Sequence, residues 1–127
     1  MTYNQITIEK LLENAINPNL LKPNSNLIQL IGNVKEVSIE TIKGERKGEP
    51  HSEHVCFKLI NKSEIYVAFS PITTEIHDVL NILQGFEKNS LEVKIDGKLN
   101  LPYIKDEILV YVHKLYIGDL LVYNRYK

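Results

Sequence analysis

Any chemistry in this chain would have to come from a few polar residues standing close together. His51, His54 and Cys56 lie on one short stretch, and imidazole and thiolate both suit zinc. No fourth ligand stands at a matching spacing, so His54 and Cys56 read as strand residues of kinds that are often partly buried. His77 and His113 are isolated from other ligating groups and read as scaffold. Glu92 and Asp96 would share a strand face, but Lys94 lies between them and Lys98 follows. That pattern is charge alternation on a wet surface rather than a catalytic carboxylate pair. A Gly-rich phosphate loop, a nucleophile elbow and a His-Glu-x-x-His pair are all missing from the sequence. The expectation is a protein that is not an enzyme and that needs no metal or cofactor.

Cations and aromatic rings are the remaining candidates. If Val55, Phe57 and Leu59 face a core, then Cys56, Lys58 and Ile60 face outward, with Tyr66 beside them on the next strand. Tyr66 could stack on a nucleobase while Lys58 pairs with a phosphate, an arrangement worth about 1–3 kcal/mol per stacked base. The plainer alternative is a half-exposed tyrosine that shields its neighbours. Lys94 could add a third contact. Lys43, Arg46 and Lys47 could hold phosphates from one loop, and Tyr103 with Lys105 from another. Glu45, Glu49 and Glu53 interleave with the first set, however, and a solvated mixed-charge loop releases few counterions. Across the chain 15 Lys and Arg face 16 Asp and Glu, for a formal charge of −1. There is no overall pull toward a polyanion, so any nucleic-acid contact must be local.

The elements that would position these residues follow from periodicity. The 127 residues suit one domain, and 43% hydrophobic with 24% charged residues is ordinary folded composition. Thr7 precedes Ile8, Leu11, Leu12 and Ala15, an apolar stripe on a short capped helix ended by Asn17-Pro18, and Asn19 to Asn26 form a connector. Alternation through Leu27 to Ile42 slips phase once, which predicts a long strand with a bulge, bent at Gly32. Lys43 to Glu53 is a polar loop. Strands around Val55–Ile60 and Ile65–Phe69 meet at a turn over Asn61 to Glu64. Ser70 as cap and Pro71 as first residue predict a helix with Ile72, Ile76, Val79, Leu80 and Leu83 on one face, ended by Gly85. Leu91 to Leu99 alternates as a half-buried strand. After a loop with Pro102, Ile108 to Ile117 forms the last strand, and Gly118-Asp119 caps a short terminal helix with Leu120, Leu121 and Tyr123.

The fold expected is mostly β: a five-stranded barrel of the oligonucleotide/oligosaccharide-binding (OB) type, with its long helix between strands three and four and a short N-terminal helix. A ferredoxin-like fold would place a helix between its first two strands, and an SH3-like barrel would have no helix of this length.

Two stretches carry a family resemblance. The helix and strand from Ile6 to Val37, with Leu30-Ile31-Gly32-Asn33-Val34, resemble the entry to the small single-OB subunits of replication protein A and of the telomeric CST complex. So does Leu91-Glu92-Val93-Lys94-Ile95-Asp96-Gly97-Lys98-Leu99. The resemblance implies a non-catalytic subunit of a single-stranded-DNA-binding assembly. Such a subunit pairs with a larger OB-fold protein through a C-terminal helix, touches nucleic acid lightly, and is nuclear in a eukaryote or cytoplasmic otherwise. In this chain ten residues follow Ile117. The apolar tail Leu120, Leu121, Tyr123 and Tyr126 would dock on a partner or on its own barrel. Two further functions remain open: a stand-alone single-strand-binding protein and a protein-only OB adaptor. A single cysteine fits a reducing compartment. The longest apolar runs fall well short of the roughly 20 residues of a membrane span, and the N-terminus does not read as a secretory signal.

Overall fold

The computed structural model describes residues 2–13, 26–42, 48, 50–72, 74–100 and 108–126. Its elements, in chain order, are β1 (Asn4–Gln5), α1 (Ile8–Glu13), β2 (Leu27–Ile42), β3 (Ser52–Asn61), β4 (Ser63–Pro71), α2 (Thr74–Lys88), β5 (Glu92–Asn100), β6 (Leu109–Ile117) and β7 (Leu120–Asn124).

The length of β2 lets one strand serve two neighbours. Leu27 to Asn33 pairs antiparallel with β5, and Asn33 to Ile42 pairs antiparallel with β3. The strands β3 and β4 form a hairpin, β4 runs parallel to β6 through Tyr66 to Ala68, and β6 returns antiparallel to β5. The ladder therefore closes into a ring in the order β2-β3-β4-β6-β5-β2. Closure leaves these five strands few open edges. Strand alternation then sends Val55, Phe57 and Leu59 of β3, Ile65, Val67 and Phe69 of β4, and Val110, Val112 and Leu115 of β6 into a shared interior.

Both helices add to that interior. Ile8 and Leu11 of α1 are buried in it, and the Thr7 hydroxyl caps this helix by accepting from the Lys10 amide at 3.1 Å. Ile76, Val79, Leu83 and Phe86 form the buried stripe of α2, at the 3- and 4-residue steps of one helix face. The helix α2 packs chiefly on β2.

Several expectations are corrected. Ser70 and Pro71 belong to β4, and α2 begins at Thr74, because β4 pairs with β3 as far as His54 opposite Pro71. The C-terminus of α2 is not closed by Gly85. Ser90, at φ 53°, ends the helix, with its amide bonded to the Glu87 carbonyl and the Leu91 amide to that of Phe86, a Schellman arrangement. The bulge of β2 lies between Lys35 and Ser38, where the alternation slips phase from Val34 to Val37, whereas the pairing runs without irregularity through Gly32. At Gly32 a Cβ would fall 2.8 Å from the Ile60 carbonyl oxygen, so that glycine answers a close approach between strands. The expected terminal helix is a strand: Gly118 at φ 56° and Asp119 form a two-residue turn joining Ile117 to Leu120. The turn between β3 and β4 narrows to Lys62 at φ 64°. The short parallel strand β1, at the entry to α1, had no sequence signature. Among the described residues no helix is long and apolar enough to cross a membrane.

Candidate functional site

The outward face of the β3–β4 hairpin brings together two of the residues expected to contact a ligand. Lys58 and Tyr66 are register partners. The Lys58 ammonium lies 5.3 Å from the centroid of the Tyr66 ring, which is 38% exposed. This is the aromatic and cationic pairing that the alternation of the two strands predicts.

Lys58 is nevertheless engaged by anions. Its Nζ lies 2.9 Å from a Glu36 carboxylate oxygen and 3.5 Å from one of Glu64. The hydrogen bond to Glu36, with the charges of Glu36 and Glu64, raises the lysine well above its ordinary pKa. Glu36 reaches it because the bulge holds this residue at φ 52°, a left-handed conformation that costs a non-glycine residue about 1–2 kcal/mol. The bulge is secured from the other side. The Val37 amide, drawn out of the regular ladder, donates to the Glu87 carboxylate of α2 at 3.0 Å.

Between the bulge and the hairpin lies an open depression of about 310 Å³, lined by Glu36, Val37, Glu40, Phe57, Lys58 and Tyr66, among others. Cys56 also contributes to it, and burial, reinforced by the charge of Glu40, pushes its thiol up to about 12. With Glu64 at the margin, three carboxylates stand around the Lys58 ammonium, and the exposed Lys35, register partner of Lys58, adds a second cation to the face. A phosphate backbone would meet net negative charge on this face.

The other expected contacts are distributed differently. Lys94 lies on β5, across β2 from the hairpin, with its ammonium 4.7 Å from the centroid of its register partner Tyr116. Lys43, Arg46, Lys47, Tyr103 and Lys105 lie outside the described residues. Leu120, Leu121 and Tyr126 are exposed. Tyr123 is buried at 6% exposure, with its ring edge-on to Phe69 at 5.0 Å, and so belongs to the chain's own core.

His54, His113 and Asp96 hold structure, whereas His77, read from sequence as scaffold, is exposed on α2. The His54 Nδ1–H donates to the Phe69 carbonyl at 2.6 Å, leaving Nε2 to the Ser52 hydroxyl at 2.7 Å. Among the described residues no group of three or more His, Cys, Asp or Glu is placed to hold a metal. Asp96, expected on a wet face, is buried, because Gln29 donates to it at 2.7 Å and the Tyr116 hydroxyl at 3.4 Å. His113 is buried too, with the Tyr3 hydroxyl 2.8 Å from its Nδ1 and the Tyr126 hydroxyl 3.2 Å from the same atom. Sequence reasoning missed Glu36, Glu40 and Glu64 as determinants of the face, and it missed this cluster of Tyr3, His113 and Tyr126. Glu36 and Glu40 reach the face from a neighbouring strand, and Tyr3 lies 110 residues from His113, so no local spacing marks either group.

No protein-family model matches the chain, and no curated protein does. Among solved structures, it is similar to the solution structure of the OB domain of Ta0387 from Thermoplasma acidophilum. The two are 10% identical, with a TM-score of 0.46, over 86% of this chain and 78% of that one.

Proposed function

We propose that this chain is a non-catalytic OB-type module that acts mainly through protein contacts, as a structural subunit of an assembly that handles single-stranded DNA. The fold part of this reading rests on connectivity. Counting only the five strands of the ring, their order is first-second-third-fifth-fourth and back to the first, with the long helix between the third and fourth. That order, with its parallel third and fifth strands, suits an OB barrel. The small subunits of replication protein A and of CST are the family-level analogy for the role.

One observation carries the functional part. OB proteins bind strands on the face of their second and third strands, and here the lysine of that face is held between Glu36 and Glu64. A clamped, neutralised cation releases few counterions, and counterion release supplies most of non-specific affinity for nucleic acid. The exposed Leu120 and Leu121 on β7 suit contact with a larger protein partner.

The test is fluorescence anisotropy of the isolated chain with a labelled oligothymidylate at low and at high salt. Weak binding with a shallow salt dependence is expected. Tight binding whose logarithm falls steeply with the logarithm of salt concentration would overturn the reading in favour of a stand-alone single-strand-binding protein.

A further inference from the structure

We propose that the depression between the β2 bulge and the β3–β4 hairpin is a docking site for an extended, cationic segment of a partner protein. The inference rests on the protein-contact reading above and gives that partner a chemistry. Three features support it.

The first is shape. The bulge lifts Glu36 and Val37 away from the ladder, and the hairpin rises opposite, leaving about 310 Å³ of open space over the buried Phe57. An extended segment could lay alternate side chains into such a trough. The second is charge. Glu36 and Glu40 line the depression, Glu64 stands at its margin, and all three are exposed. The third is that the chain already seats a cation there. The Lys58 ammonium bonds to Glu36 and lies over the Tyr66 ring, so carboxylate and aromatic face are arranged as a partner's arginine or lysine would need them. Lys58 occupies part of this arrangement, and Glu40, which has no ion pair among the described residues, can meet an incoming cation. Arginine is favoured over lysine, because its planar fork can pair with a carboxylate and stack on a ring together.

The proposal makes the sign of one substitution decisive. Lys58→Ala releases Glu36 and Glu64 and should strengthen binding of a cationic peptide, whereas removal of a phosphate-binding lysine would weaken binding of DNA.

The experiment titrates the full chain, labelled with nitrogen-15, with a short synthetic peptide of alternating arginine and valine, and separately with oligothymidylate. The expected result is peptide-induced shifts at the amides of Val37, Ser38 and Tyr66. Affinity should fall about fivefold in the Glu36→Gln/Glu40→Gln double variant, the effect of removing two carboxylate charges from an exposed site, and should rise in Lys58→Ala. Peptide binding that shifts other amides, or that ignores the glutamate substitutions, would overturn the site and leave the protein-contact reading standing. Absence of peptide binding would overturn the site as well. Oligothymidylate shifting these amides tightly, and losing affinity in Lys58→Ala, would overturn both.

Discussion

Gly97 and Gly118 are required for opposite reasons, which separates packing from backbone conformation. A Cβ on Gly97 would fall 2.5 Å from the Tyr111 carbonyl oxygen and 2.8 Å from a Val110 methyl carbon, where β5 shifts register against β6. Gly118 has nothing within 4 Å, but its φ of 56° disfavours any side chain. Gly97→Ala should therefore destabilise by about 3 kcal/mol, the upper range for forcing atoms into a packed interior. Gly118→Ala should cost about 1 kcal/mol, the left-handed penalty alone. Urea unfolding checks both, since the midpoint should fall with little change of slope. Cys56 offers a second test at this scale. It is buried, and its thiol is pushed up to about 12 by burial first and by Glu40 second. Thiolate is the reactive form, so native protein at pH 8 should resist alkylation and react only once unfolded. That Lys58 and Tyr66 face outward was legible from alternation, because each strand reveals its own two faces. The neutralisation of Lys58 was not, since Glu36 arrives from another strand, and the phase slip between Val34 and Val37 marks the bulge but not which side chain it turns toward Lys58.

Elements were legible where a period repeats long enough, and their ends were not. The stripe of Ile76, Val79 and Leu83 marks α2 from sequence. Ser70-Pro71 nevertheless resembles a helix start and serves as the end of β4, because pairing with β3 continues through it. The tail shows the same ambiguity. Residues 120–124 could be an apolar helical turn or a strand, and β6 offers an edge beyond the reach of β4, where β7 pairs. This placement divides the tail residues by role. Tyr123→Ala should destabilise by about 3 kcal/mol, as loss of a buried aromatic side chain does, whereas Leu120→Ser with Leu121→Ser should leave the thermal midpoint nearly unchanged and, under the proposed function, impair partner capture. The link between α2 and the bulge is also testable. Glu87→Ala removes the acceptor of the Val37 amide and should cost about 1.5–3 kcal/mol, the value of a hydrogen bond to a charged group. Faster hydrogen exchange confined to the Val37 region would show that the helix holds the bulge in place.

At the scale of the molecule, ring closure depends on contacts distant in sequence, such as Leu27 opposite Lys98 and Tyr66 opposite Leu109. Helix and strand order narrowed the topology to an OB-like solution, but nothing local announces that the two ends of the chain meet over His113, with Tyr3 on one side and Tyr126 on the other. That meeting gives the fold a distinctive response to pH. Burial, with the charges of Arg125, Lys98 and Lys114, lowers His113 below 6.5, and the charge of Asp96 opposes them only in part. As pH falls below 6.5 the unfolded chain takes up a proton at this site that the folded chain resists, so stability falls toward the folded value and is indifferent to this group above 6.5. The alkaline side works in reverse. The Cys56 thiol rises from 9.0 to about 12 and Tyr3, mainly by burial, from 10.0 to about 12. The unfolded chain then loses those protons first, and stability declines as pH rises from 9.0 toward 12. The stability profile, measured by urea unfolding in a pH series, should therefore be level between about pH 6.5 and 9 and decline on both sides. His113→Gln keeps a polar group beneath Tyr3 and Tyr126 but removes the titration. It should abolish the slope between about pH 5 and 6.5, above the range where ordinary carboxylates titrate, and leave the alkaline limb unchanged. An acid slope that persists in this variant would place its origin elsewhere than at the junction of the two chain ends.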